Sequence, residues 1–488
     1  MIKSAFFYFL CTISIAFIIT SCGEDDPKTL VADYCKKDNC IGDVQFKTIA
    51  TALRKDRRGR SEYGKDEAVW QFITEGGCKP CSGIGVTVAD TAGEKPKTPV
   101  VKPEYSVFIE NSYSMDGYVK GNSEFKNTVY DFLSDVLMKT NEITDKMSLN
   151  YINSKVIPFE DQLVDFIQKL DPNTFEKRGG QRGTTDLSVV MKRSIDSISG
   201  QRVVIFISDC VFSPGKNKVA LDYLASQKTG FKRVFSDLIY AQPDLATIVI
   251  KLKSTFDGSY FDYNDKPIPL KKAQRPYYIW IVGESSHIDN LLTKVKIANM
   301  EGGIEDFYAL YPQTAQTQFK NQIVKNEAIG RFDIDRDNLS TIINAETTDR
   351  GGNMAFRFAV AIDLKQTGMS ESYLTDVNNY KLSTDKYALE VKPITDDEKI
   401  KNKALEKYSH KLMLSTKDLK PMSIDIELKR TVPKWIYDTN SQDDRVQTGE
   451  ELNKTFGFKY MVEGVADAYQ SVNKGQESFF KFGVTIKK

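Results

Sequence analysis

The stretch from Tyr105 to Asp116, YSVFIENSYSMD, constrains this chain more than any other. Tyr105, Val107 and Ile109 alternate with Ser106 and Phe108, and the run is apolar enough for a strand buried on both faces. It ends abruptly in Asn111-Ser112-Tyr113-Ser114. Glu110, Ser112 and Ser114 therefore stand at the carboxyl end of a sheet, where open α/β sheets bind ligands. Oxygen-bearing side chains at alternate positions of a turning loop can converge on one hard cation such as Mg²⁺.

Two later stretches carry matching signals. Gly183-Thr184-Thr185-Asp186-Leu187 opens a helical run, and Val203 to Asp209 (VVIFISD) is a second buried strand ending on a carboxylate. Helical periodicity follows the first loop at Phe125, Val129, Phe132, Leu133 and Val136. Further helices are expected at 159–170, 185–198, 219–235 and 287–298, and strands at 149–152, 155–158, 247–252 and 277–282. This alternation predicts an α/β domain over residues 105–299 with a doubly wound, mainly parallel, Rossmann-type sheet. Asp257-Gly258 between two strand-like runs predicts a hairpin turn.

The three stretches, in this order, resemble the von Willebrand factor A domain and its metal-ion-dependent adhesion site. That pattern is Asp-x-Ser-x-Ser, then a Thr in a Gly-Thr-Asp/Asn-Leu setting, then an Asp in a Ser-Asp-Gly turn. The resemblance implies a metal site of Glu110, Ser112, Ser114, Thr185 and Asp209 holding Mg²⁺ or another divalent cation. Two positions depart from the pattern: Glu110 replaces Asp, and Cys210 stands where Gly is usual. A Glu is one methylene longer, so the site must shift or recruit a water. In this family the metal keeps an open position that an acidic group of a partner fills, which implies protein or matrix binding rather than bond breaking.

Residues 1–21 read as a lipoprotein signal peptide: Lys3, an apolar core from Ala5 to Ile19, then Ile19-Thr20-Ser21-Cys22. The last four resemble the lipobox of bacterial lipoproteins, which implies lipidation at Cys22. Glu24-Asp25-Asp26 resembles the surface-export signal of Bacteroidota lipoproteins. The expected location is thus the outer membrane, with the cell surface an option. Residues 22–92 hold Cys35, Cys40, Cys78 and Cys81, and outside the cytoplasm two disulfides are expected rather than zinc. Three pairings are possible. Residues 93–104 (GEKPKTPVVKPE) read as a semi-extended linker.

Residues 300–488 change character. Alternating runs at 356–362, 387–391, 412–414, 422–428 and 480–486 predict half-buried antiparallel strands and a β-sandwich-like C-terminal domain. One helical insert places Phe456, Tyr460, Gly464 and Ala468 on one face. Residues 300–345 show no clear period.

Composition narrows the function classes. There are 67 basic and 66 acidic residues, a net charge of +1, so no general pull toward nucleic acid follows. Only His287 and His410 are present, which argues against His-dependent catalysis and His-rich zinc sites. The reading is a membrane-anchored envelope lipoprotein that binds a protein partner and is not an enzyme. The alternatives are a structural envelope component with a non-functional metal site, and a metal-dependent hydrolase using Glu110 and Asp209 to activate water.

Overall fold

The computed structural model describes residues 26–38, 40–41, 43–55, 63, 65–78, 102–139, 146–183, 186–196, 201–215, 218–295, 297, 300–312, 319–350, 353–472 and 476–487. The signal segment, Cys22, Cys81, most of the linker and Thr185 lie outside them. The chain divides at residue 100 into two compact units.

In the first unit, α1 (Pro27–Asp38), α2 (Asp43–Leu53) and α3 (Asp66–Glu75) surround a small core. Val31, Ile49, Val69 and Ile73 are buried there, and Phe46 stacks on Trp70 at 4.5 Å. Cys35 and Cys78 form a disulfide. Cys40 is likewise disulfide-bonded. A core this small gains from a cross-link because the bridge narrows the unfolded ensemble.

The second unit is built on a seven-stranded mixed sheet. Its strands are β1 (Glu104–Glu110), β2 (Lys146–Ile152), β3 (Val156–Phe159), β4 (Arg202–Ser208), β5 (Leu245–Phe261), β6 (Pro267–Glu284) and β7 (Asp306–Leu310). Their order is β3-β2-β1-β4-β6-β5-β7. β1 runs parallel to β2 and to β4, in the register Ile109↔Tyr151 and Ile109↔Ile207. The expected parallel sheet is present in those three central strands. Outside them each pair is antiparallel: β2 with β3, β4 with β6, β6 with β5, and β5 with β7.

The departure from a fully parallel sheet has a local cause. β5 and β6 form one long hairpin whose turn lies at Asp262–Lys266, closed by the bond from Asp262 N to Lys266 O at 3.0 Å. Asp257-Gly258, expected as the turn, lies inside β5 at a register shift. Close approach explains the glycine: a Cβ on Gly258 would stand 2.9 Å from the Cα of Gly117.

Helices cover both faces. α4 (Asp116–Val119), α5 (Glu124–Met138), α6 (Leu163–Gln168), α7 (Pro172–Lys177) and α10 (Ser285–Lys294) lie on one, over Val107, Ile205 and Ile279. α8 (Leu187–Ile195), α9 (Ala220–Ala241) and α11 (Phe458–Val472) lie on the other, over Phe206 and Trp280. Pro172 opens α7, and Asp171 caps it. α9 runs unbroken through Gly230.

The remaining strands are β8 (Asn321–Ile329), β9 (Arg331–Ile334), β10 (Thr341–Glu346), β11 (Thr348–Arg350), β12 (Asn353–Ile362), β13 (Tyr380–Leu382), β14 (Ala388–Pro393), β15 (His410–Thr416), β16 (Met422–Lys429), β17 (Asn440–Ser441), β18 (Thr455–Phe456) and β19 (Ser478–Ile486). Two five-stranded sheets form, β13-β16-β19-β10-β9 and β11-β12-β15-β14 with β8 on β12. Phe358 and Leu414 from one and Ile426 and Val484 from the other share a core, as in a sandwich. That core is continuous with the α8–α9–α11 side of the seven-stranded sheet. Residues 300–488 thus supply both the sandwich and two pieces, β7 and α11, of the α/β layers.

Candidate metal centre

β1 and β4 are adjacent and parallel, so their carboxyl ends open at the same level. Glu110 ends β1, and Ser208 ends β4 one pair beyond Ile109↔Ile207. The Ser208 hydroxyl donates to Glu110 Oε2 and accepts from Cys210 N at 2.7 Å. Asp209 follows directly, its Oδ1 accepting from Val211 N at 3.2 Å. Beyond β1 the chain turns through a short 3₁₀ segment at Tyr113–Met115, which brings Ser112 Oγ within 2.9 Å of Ser114 Oγ. The Ser112 hydroxyl favours the charged form of Glu110, and the Ser114 hydroxyl that of Asp209. Four of the five expected residues therefore meet in one place. Thr185 lies outside the described residues; its neighbour Asp186 caps α8, accepting from Ser188 N at 3.0 Å and Val189 N at 3.2 Å.

The two carboxylates are almost wholly buried, each 2% exposed. Burial penalises the charged form, and Asp209 adds like-charge repulsion, so the Glu110 carboxyl is pushed up to about 8. The Ser208 and Ser112 hydroxyls work against that rise. Burial also raises Asp209, opposed by the Val211 amide, Ser114 and the Arg275 guanidinium. Two buried carboxylates side by side, with hydroxyls as the other donors, form an all-oxygen set. Such a set fits a hard divalent cation, whose charge would offset the repulsion. No group of three or more His, Cys, Asp or Glu suited to a metal occurs among the described residues, so the hydroxyls are needed to complete any cation site.

Residues with no apparent sequence signal hold the loops. Arg182, nearly buried, donates from Nε to Asn111 O at 2.8 Å and from Nη2 to Ser112 O at 3.4 Å. It also pairs with Asp116 and lies over the Tyr113 ring at 4.6 Å. Burial pushes Asp116 up to about 6, with Arg182 pulling the other way. Asn153 Nδ2 donates to Asn111 Oδ1 at 3.0 Å and to Gly179 O at 2.9 Å, tying the end of β2 to the same loop.

Cys210 has φ 55°, in the left-handed region. Glycine adopts that conformation without a Cβ clash. Here a buried thiol fills the place, and burial raises it well above the usual range. A protonated thiol of this kind behaves as a small apolar group.

No protein-family model, no curated protein and no solved structure matches this chain. Among the described residues no helix is long and apolar enough to cross a membrane.

Proposed function

We propose that the chain is an envelope lipoprotein, anchored through Cys22, whose second unit captures an acidic group of a partner protein through a divalent cation. The observation that carries this reading is the convergence of Glu110, Ser112, Ser114 and Asp209 at the carboxyl ends of adjacent parallel strands. Ser112 and Ser114 would be direct ligands, because a neutral hydroxyl adds a donor without adding charge. Glu110 and Asp209 would bind directly or hold the metal's waters. Thr185, from the loop ahead of Asp186, is the expected fifth member. The fold proposed for the α/β layers is von Willebrand A-like, with the long β5–β6 hairpin as its variation.

A second reading is favoured by one observation. Burial pushes the Glu110 carboxyl up to about 8, toward its neutral form, and Arg275 opposes the rise at Asp209, so the site can balance its charge without a metal. The unit would then be a structural envelope component. Capture from envelope extract separates the two. Chelator-reversible capture by wild type, absent in Ser112→Ala, supports the cation reading, and chelator-insensitive capture supports the structural one. Membrane release of Cys22→Ala on cell fractionation tests the anchor.

A further inference from the structure

Arg275 is a buried charge with an unusual set of neighbours. It is 1% exposed, and burying a guanidinium is costly unless it is hydrogen-bonded and balanced. Its Nη1 donates to Gln447 Oε1 and its Nη2 to Lys454 O at 3.3 Å. Its plane lies over the Tyr260 ring at 4.2 Å. The Tyr118 hydroxyl donates to the backbone of the next residue, Pro276 O, at 2.6 Å. No carboxylate forms an ion pair with Arg275 among the described residues. Burial lowers its pKa, and Tyr118, Tyr260 and Asp209 raise it; Asp209 is the carboxylate among them, and Arg275 in turn lowers Asp209. The β4–β6 register explains this: Ser208 faces Tyr278, so Arg275 lies beyond the end of β4, beside the Asp209 turn.

Both protein acceptors of the guanidinium belong to one segment, the strap from β17 to β18. The strap is itself fixed by buried polar contacts. Asp444, fully buried, accepts from the Tyr260 hydroxyl and from Tyr263 N at 3.0 Å. Thr455 and Tyr278 hydroxyls lie 3.0 Å apart, and Phe456 stacks on Tyr263 at 5.4 Å. Gln447 is held at both ends of its amide: Nε2 donates to Asp444 O at 3.1 Å, which leaves Oε1 to face Arg275.

We propose that the 440–456 strap sets the charge felt at the Glu110/Asp209 site by holding Arg275 in place, with Gln447 as the positioning residue. This rests on the cation reading of that site. A fixed guanidinium beside Asp209 opposes entry of a dication. Once the cation is bound, it adds to the positive field that a partner carboxylate meets. The strap therefore tunes the balance between holding metal and holding partner.

Two variants of Gln447 act in opposite directions. Gln447→Glu gives the guanidinium an ion-pair partner and screens its field at Asp209. Mn²⁺ affinity of the full chain should rise about threefold or more. Gln447→Met removes the acceptor, frees the guanidinium toward Asp209, and should lower the affinity by a similar factor. Where wild type binds Mn²⁺, a purely structural role would move both variants the same way or not at all, and that result overturns the proposal. A metal-free arm separates it from the cation reading. In chelated protein, Asp209→Asn and Gln447→Glu are combined in a thermal-unfolding cycle, with circular dichroism checking the fold. Non-additive shifts support the link between strap and site even if wild type binds no Mn²⁺, in which case the cation reading alone falls. Additive shifts, with wild type binding Mn²⁺ and both Gln447 variants unchanged, overturn the link and leave the cation reading standing.

Discussion

Glu110 is the residue on which the chemistry turns. Its proton is held in the folded state up to about pH 8, whereas an unfolded Glu loses its proton near 4.5. The folded chain therefore binds more protons than the unfolded chain between those values. Stability contributed by this group is present in full below about 4.5 and falls as pH rises toward 8. Asp116 and Asp444, both pushed up to about 6 by burial, add slopes of the same sign at lower pH. The prediction is a difference: Glu110→Gln should show a shallower loss of melting temperature between pH 6 and 8 than wild type, both with chelator. Identical slopes would mean that Glu110 is not protonated in the fold. Cys210 offers a second residue-level test. Its φ of 55° favours glycine, so Cys210→Gly should melt no lower than Cys210→Ala, although it removes one more carbon. A Gly variant less stable than the Ala variant by about 1 kcal/mol, the ordinary penalty, would contradict a left-handed backbone there.

At the scale of elements, the chain shows where periodicity informs and where it cannot. The core faces of α5 and α8 and the buried runs of β1 and β4 follow from spacing, because each buries one clean stripe or a continuous apolar run. Asp257-Gly258 misled because the same dipeptide serves a tight turn or a close approach, and only the position of Gly117 decides between them. The partnership of α9 and α11 was equally invisible, since the helices are more than two hundred residues apart. Their contact depends on Gly464, where a Cβ would stand 2.5 Å from Lys228 O and 2.8 Å from Phe231 Cβ. Gly464→Leu should therefore destabilise the second unit by about 2 kcal/mol or more, through overpacking and helix displacement. Chemical denaturation measures it. A near-neutral result would show that α11 can withdraw from α9 at little cost.

For the whole molecule, the division at residue 100 gives each unit its own means of stability. The first relies on its cross-links: Cys78→Ala should cost about 2–4 kcal/mol and strip hydrogen-exchange protection from 27–75, and unchanged protection would argue that the helices hold without the bridge. The second relies on large cores, one on each face of the seven-stranded sheet. The α/β class was legible there because strand-like and helical runs succeed one another in the sequence from residue 105 onward. The antiparallel half of the sheet was not, because a long hairpin and a β-α-β crossover leave similar apolar runs. The candidate site was legible as residue types at strand ends, but Arg182, Arg275 and Gln447 were not, since isolated polar residues carry no period. What unites these parts is the claim that two hydroxyls and two buried carboxylates form a cation site. Calorimetric titration of Mg²⁺ and Mn²⁺ into the full chain, wild type against Ser112→Ala and Asp209→Ala, tests it most directly. The account predicts one site in wild type and none in either variant. No binding in wild type, or equal binding in all three, would contradict it.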